Sequence, residues 1–290
     1  VNVQALSSVS APPAGKRVLY VTDLAYEARG RRYCDEDIYL STRLREHFDI
    51  GLCHPLDASH LMDSFDAVLV RNSGPAIHYR QEHDAFRALA EARKVPVLSE
   101  LSGKADMAGK QYLVDLFADG YPVIPTVDRP ADVARLPESV EYVVKPKFGA
   151  DSVGLRFVRD AELADLDDDD SLVQPRIMFE YEVSFYFIGH TFEYALYAPD
   201  PSRRWALEHY EPTHADLTFA RTFIDWNDID HGIQRVDACR TSTGDLLLVE
   251  LEDLNPYLSL DRVAAATRDV FVAALAASIT SLIGSRSRRN

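Results

Sequence analysis

Cysteine is scarce. The chain of 290 residues has three, Cys34, Cys53 and Cys239. The number is odd, and the spacings form neither a CxxC motif nor a paired framework. That argues against a disulfide-stapled or thiolate–zinc protein and agrees with a reducing cytoplasm. Long apolar runs are missing too: no stretch approaches roughly 18 uninterrupted apolar residues, so no membrane partner is expected. The opening VNVQALSSVSAPPAGK has neither a basic start nor an apolar centre. Residues 1–15 read as a disordered tail rather than a signal peptide. No GxGxxG occurs, which leaves a dinucleotide site unsupported. Basic residues are the minority, 31 Lys+Arg against 46 Asp+Glu, for a formal net charge of −15. A protein this acidic is a poor non-specific binder of nucleic acid, and any basic residues that handle phosphate have to be gathered locally.

What is present is apolar patterning. Hydrophobic residues make up 47% of the chain, enough for more than one core at this length. RVLYVTD (17–23) and DAVLVRNSG (66–74) read as buried strands, and VPVLSE (95–100) as a shorter one. DIYLSTRLREHF (37–48), with Asp35 and Glu36 before it, and YRQEHDAFRALAEAR (79–93) read as helices. This alternation predicts an α/β protein whose residues 16–100 form a small parallel sheet with flanking helices. A second unit, 101–172, holds the helical GKQYLVDLFADG, the strand EYVVKP (141–146), a glycine-containing loop and the charge run DLDDDD, which reads as a solvated turn. A third unit, 173–290, holds strands around YEVSFYFIG and TFEYALYA, an apolar hairpin and an amphipathic helix over 262–284.

Two stretches carry chemistry. In VVKPKFGADSVGLRFV, Lys145 closes a strand and Gly149 and Gly154 follow. GADSVG has the spacing that opens a P-loop, but Leu155 and Arg156 stand where Lys and Ser/Thr are required, so that motif fails. Two readings stay open: a flexible loop that brings backbone N–H groups onto phosphate beside a lysine, or a hairpin with a solvated lysine. The second stretch is RVDACRTSTGDLLLVELEDLNP, from Arg235 to Pro256. With Thr243 and Gly244 as the centre of a two-residue turn, Asp237 faces Glu250 and Arg235 faces Glu252. All four then share one face, and Val236, Ala238, Val249 and Leu251 share the other and pack on a core. Two carboxylates about 5 Å apart repel by roughly 3 kcal/mol at an effective dielectric near 20. Three acids against one arginine need a bound proton or a cation. Oxygen ligands with no His or Cys beside them favour Mg²⁺ over zinc, and Asn255 is a further oxygen donor. A surface ion-pair cluster is the other reading. On the metal reading, removing one acid leaves the stability of the free protein unchanged or slightly raised.

In this order the pieces resemble the ATP-grasp superfamily, in its D-alanine–D-alanine ligase-like branch. The resemblance covers about 100–260, and the N-terminal sheet suits the family's first domain. It implies an α+β clasp in which two subdomains hold ATP behind a Rossmann-like first domain. MAGKQYLVDLFADGYPVIPT looks like the family's lysine-helix entry and implies that Lys110 contacts phosphate. VVKPKFGADSVG looks like the second lysine, Lys145, with a phosphate-covering loop of Phe148, Gly149, Ser152, Val153 and Gly154. LVQPRI looks like the hinge whose backbone reads adenine, near Gln174 to Ile177, and YEVSFYFIG puts Glu182 where ribose is held. RVD resembles the family's arginine and first metal acid, Arg235 and Asp237, and Glu250 stands thirteen residues on, where the second is expected. The family has Asn two residues later; here Glu252 stands there and the asparagine is Asn255, which leaves the third ligand open.

The family chemistry implied is activation of a carboxylate by ATP, with Mg²⁺, to an acyl phosphate, followed by amide formation with release of ADP and phosphate. The implied partners are ATP and an amino-acid-like small molecule. Monomer and homodimer both stay open. RNS (71–73), at a strand's carboxyl end, makes Arg71, Asn72 and Ser73 the substrate candidates, with Arg29, Arg31 and Arg32 in a second loop. VLYVTDLAYEARGRRYCDEDIYL looks like the small ligases of antibiotic clusters, which implies intramolecular closure of O-ureido-D-serine to cycloserine. An intermolecular dipeptide ligase, a phosphotransferase and a nucleotide-binding protein without turnover remain as alternatives.

Overall fold

The computed structural model describes residues 15–28, 31–72, 76–148, 154–165, 170–200, 203 and 206–287. The tail expected over 1–15 lies outside them except for Gly15, as do Arg29, Ser73, Gly149, Ser152 and Val153. For Arg31, Arg32 and Asn72 only the backbone is described.

The N-terminal domain runs β1 (Arg17–Thr22), a short hairpin of β2 (Glu27–Ala28) and β3 (Arg31–Arg32), α1 (Tyr33–Leu44), β4 (Asp49–Cys53), α2 (Ala58–Leu61), β5 (Ala67–Asn72), α3 (Ala76–Arg93) and β6 (Val97–Leu98). Its sheet is parallel in the order β4-β1-β5-β6. β1 reads as an unbroken apolar run because both of its faces are covered. Val18 and Tyr20 pack on the α1 side, and Leu19 and Val21 on the side of α2 and α3.

The chain then forms α4 (Tyr112–Ala118) and a small antiparallel sheet, β7 (Glu141–Pro146), β8 (Arg156–Arg159) and β9 (Ser171–Pro175), in the order β8-β7-β9. One face of this sheet is closed by Val127, Leu136, Tyr142, Val144, Leu163 and Val173. After a link at Arg176–Met178 come β10 (Phe179–Ile188), β11 (Thr191–Ala198), β12 (Glu208–His209), α5 (His214–Asn227), β13 (Ile233–Thr241), β14 (Leu246–Glu252) and α6 (Ala265–Ser287). The five strands are antiparallel in the order β12-β11-β10-β13-β14. α4 and α5 pack on this sheet around Phe185, Phe187, Val236 and Leu251. α6 is long and apolar enough to cross a membrane by length and composition. Here its Phe271, Leu275 and Ile279 fill the core between the N-terminal sheet and β10–β11.

The hairpin of β13 and β14 has the expected pairing at its charged end and a different turn. Arg235 lies opposite Glu252 and Asp237 opposite Glu250. Nearer the turn, Ala238 faces Leu248 and Arg240 faces Leu246, one residue out of that register. Thr241 N donates to Asp245 O, so the loop is three residues, 242–244, with Gly244 at φ +89°. A bulge at Val249 restores the register between Asp237 and Ala238. Val249 is therefore only half-buried, and Leu248, fully buried, takes the core position expected for it. Leu248→Ala should destabilise the fold by about 2–5 kcal/mol, whereas Val249→Ala should cost under about 1 kcal/mol in denaturant titrations. The two-residue turn requires the opposite ranking.

Candidate active site

Side chains at alternate positions share a face. The register therefore sets Tyr186, Ser184 and Glu182 of β10 beside Arg235, Asp237 and Cys239 of β13, with Glu252 and Glu250 completing the row on β14. The apolar face beneath is core, so this row is carried on a rigid floor. Arg235 Nε donates to Asp237 Oδ1 at 2.9 Å, Nη2 to Asp237 Oδ2 at 2.8 Å and to Glu252 Oε1 at 2.6 Å, and Nη1 to the Tyr257 carbonyl at 2.8 Å. Ser184 Oγ donates to Asp237 Oδ1 at 2.6 Å. The remaining acid has its own cation, Lys110 Nζ, 2.5 Å from Glu250 Oε1. Lys145, at the end of β7, reaches in from the small sheet, its Nζ 3.5 Å from the Val249 carbonyl that the bulge exposes. The two-lysine, one-arginine, three-acid set expected from the sequence is thus gathered in one place.

Charge balance follows from these contacts. Burial works against the Lys110 ammonium, but Glu250 outweighs it and the pKa rises; Glu250 is correspondingly held low by Lys110 and Lys145. Burial, with Lys110 nearby, brings Lys145 down to about 8. Burial pushes Glu252 up to about 8, with Asp237 and Glu250 adding repulsion against the pull of Arg235. The repelled acid is therefore Glu252, while Glu250 sits in an ion pair whose loss destabilises the fold. These contacts keep the expectation that removing one acid leaves stability unchanged or raised for Glu252, and for Glu250 they predict a loss instead.

The turn that delivers Lys110 contains residues the sequence did not single out. Asp106 Oδ1 accepts from Asp253 N at 2.6 Å and Leu254 N at 3.0 Å. Asp253 accepts in return from Ala105 N at 3.1 Å and Met107 N at 2.9 Å. Asn227 Nδ2 adds a bond to Asp253 at 3.0 Å. Each loop thus satisfies the other's buried N–H groups. Burial, with Asp253 alongside, pushes the Asp106 carboxyl well above the usual range. A Cβ at Gly103 would lie 2.2 Å from Asp253 Oδ2, and one at Gly109 (φ +94°) 2.5 Å from the Phe148 ring. The one available signal was Asp253 itself, an acid that extends ELED out of the alternating pattern.

Other expected positions divide. Phe148 packs on Gly109 with the Arg80 guanidinium 3.8 Å over its ring, and Gly154 takes φ +79°. Gln174 is buried and donates to Thr126 Oγ1 at 2.8 Å; Ile177 lies in the link between the two sheets. Val143 and Phe157 pair across β7 and β8 on the same side as Lys145. Glu182 lies on the row two positions from Ser184. Asn255 is half-buried just beyond β14. Arg71 departs from expectation: it is 3% exposed, turned inward to Pro256 O at 3.1 Å and to Asp37 and Glu36 at 3.5 and 3.7 Å. Its position at the strand's carboxyl end is as expected, but strand parity points it into the interior rather than the cleft.

Among the described residues no three Asp, Glu, His or Cys side chains are already gathered around a point that could hold a metal ion. Asp237, Glu250 and Glu252 are each turned toward a cation of the chain itself. Their donor chemistry, carboxylate oxygen alone, suits Mg²⁺, and Lys110 and Arg235 occupy the charge it would balance. Because folding raises the Glu252 pKa from about 4.5 to about 8, its contribution to stability is present below pH 4.5 and is lost as pH rises through 8. Glu252→Gln should therefore raise the melting temperature at pH 8 by on the order of a few degrees, with the gain shrinking toward pH 5. A pH-independent difference contradicts this charge distribution.

No family model and no curated protein matches the sequence. Solved structures do. The chain is similar to D-cycloserine synthetase DcsG, at 22% identity over 90% of this chain and 98% of that one, with a TM-score of 0.67. It is similar to the D-alanine–D-alanine ligase of Bacillus anthracis complexed with ATP, at 12% identity over 95% and 100%, TM-score 0.68. It is also similar to the ATP-grasp ligase PsnB complexed with a minimal precursor, at 15% identity over 91% and 99%, TM-score 0.62. The chain therefore has the ATP-grasp ligase fold, with the N-terminal parallel sheet followed by two antiparallel sheets.

Proposed function

We propose that this chain is an ATP-dependent carboxylate–amine ligase that releases ADP and phosphate. The observation that carries the reading is the convergence of Lys110, Lys145 and Arg235 on the acids of β13 and β14, in the cleft between the two antiparallel sheets. Lys110 and Lys145 place positive charge where the phosphates of ATP lie. Val143, Phe157 and the hinge near Gln174 to Ile177 take the base, and Glu182 the ribose. Asp237, Glu250 and Glu252 or Asn255 would hold Mg²⁺, which would neutralise phosphate charge there. The substrate carboxylate attacks the γ-phosphorus and ADP leaves. A nitrogen then attacks the acyl carbon, phosphate leaves, and the proton lost by the nitrogen passes to the departing phosphate or to solvent. Of the five N–H groups of Arg235, four are occupied among the described residues, which leaves one on Nη1 for the oxyanion of the tetrahedral intermediate.

The finer reading is intramolecular closure of O-ureido-D-serine to cycloserine, as part of antibiotic biosynthesis. It is supported by the likeness to D-cycloserine synthetase across nine-tenths of the chain. The equally extensive likeness to a D-alanine–D-alanine ligase favours intermolecular amide formation as the second reading. Incubation with MgATP and a panel of amino acids that includes O-ureido-D-serine and D-alanine should give ADP and free phosphate, and hydroxylamine should trap a hydroxamate. Lys145→Ala should weaken nucleotide binding by about tenfold or more in calorimetry. AMP and pyrophosphate, a stable phosphoester, or unchanged affinity in that variant would each overturn the ligase reading.

A further inference from the structure

Arg235 is held from beyond the hairpin as well as within it. The segment that leaves β14 passes between the C-terminal sheet and the carboxyl ends of β1 and β5, and its backbone is bonded residue by residue. Arg71 Nη1 donates to Pro256 O at 3.1 Å, and Arg235 Nη1 to Tyr257 O at 2.8 Å. Leu258 N and Leu260 N both donate to the Glu36 carboxylate, at 2.9 Å each. Tyr194 OH donates to Leu258 O at 2.8 Å. Ser259 adopts φ +53°, a left-handed conformation that a non-glycine residue keeps only where its surroundings over-determine it.

Apart from Tyr194 and Arg235 of the large sheet, the groups that do the holding belong to the N-terminal domain. Glu36 and Asp37 open α1, and Tyr20 OH at 2.8 Å and Thr22 Oγ1 at 2.5 Å bind Asp37, which fixes the helix start and leaves Glu36 facing the segment. Arg71 lies between both acids, and all three are at most 6% exposed. Burying two carboxylates and a guanidinium to join two domains is no more stabilising than an apolar contact of equal size. What such a network adds is orientation, and the orientation it sets is that of the Tyr257 peptide against Arg235.

We propose that Glu36 and Arg71 are positioning residues for Arg235: they fix the Tyr257 carbonyl, which holds the guanidinium so that its remaining Nη1 hydrogen points at the reacting carbon's oxygen. The proposal rests on the ligase reading for the role of Arg235, and the geometry it describes is independent of substrate. It makes the N-terminal domain part of the catalytic geometry as well as the acceptor side of the cleft.

A double-mutant cycle tests it. Glu36→Gln keeps one acceptor oxygen, and Arg71→Met removes the bond to Pro256. Each should lower kcat by about tenfold or more while the KM for ATP moves less than about twofold, measured with O-ureido-D-serine and, separately, with D-alanine plus hydroxylamine. In an Arg235→Lys background the same substitutions should cost under about threefold, because the group they act through is gone. Multiplicative losses, or a raised KM for ATP at unchanged kcat, overturn the proposal. A second readout needs no substrate: hydrogen exchange of the ¹⁵N-labelled Arg235 guanidinium should accelerate by about tenfold in Glu36→Gln while nucleotide affinity is retained. Unchanged exchange overturns the proposal as well. Absence of turnover in the parent protein with either substrate counts against the ligase reading, and the exchange measurement then decides the positioning role by itself.

Discussion

Like charges cannot share a sheet face without partners, and the site is organised around how that repulsion is offset. Asp237, Glu250 and Glu252 stand on the charged face of a hairpin whose other face is core. Arg235 answers two of them and Lys110 the third. The Lys110–Glu250 pair ties the turn before α4 to β14, so the lysine proposed for phosphate and the acid proposed for metal are placed by one contact. The four loop bonds of the Asp106–Asp253 exchange hold that turn against the end of the strand. The free protein holds Lys110 and Arg235 against the acids of β13 and β14, and under the proposed function the nucleotide and its metal would take both sides of that pairing.

How far this could be read from the residues depends on the range of the interaction. Alternation along β13 and β14 put four charges on one face, and they are there. The turn was read as two residues where it has three, and the pairing at the site was still right because the Val249 bulge cancels the slip. That compensation has no local signature: Val249 and Leu248 are both apolar, and nothing in their order says which is core. The cations Lys110 and Lys145 were identified by resemblance to a family pattern, since a lysine at a strand end is otherwise ambiguous. Asp106 and Asp253 were not identified, because their link joins loops far apart in the chain and depends on backbone N–H groups that no residue type reveals. Arg71 was placed at the correct strand end, and its burial against Glu36, Asp37 and Pro256 was not foreseen. The rule that ligands gather at carboxyl ends locates a residue along a strand and says nothing about its parity.

The three units divide the work accordingly. The small sheet brings Lys145 and an apolar wall, and the large sheet brings Arg235 and the acids on a rigid floor. The N-terminal domain bonds the segment that follows β14 through Glu36 and Arg71. α6 joins that domain to the large sheet through a shared core.

The central claim is that the acids of β13 and β14 exchange the chain's own cations, and the proton on Glu252, for a metal that arrives with nucleotide. Calorimetric titration of ADP at pH 7, with and without Mg²⁺, in buffers of different ionisation enthalpy measures the protons displaced. With Glu252 near 8, binding in the presence of Mg²⁺ should release close to about one proton more than binding in its absence, and Glu252→Gln should abolish the difference. An equal proton change with and without Mg²⁺ in the parent protein would show that these acids keep their own cations and take no metal.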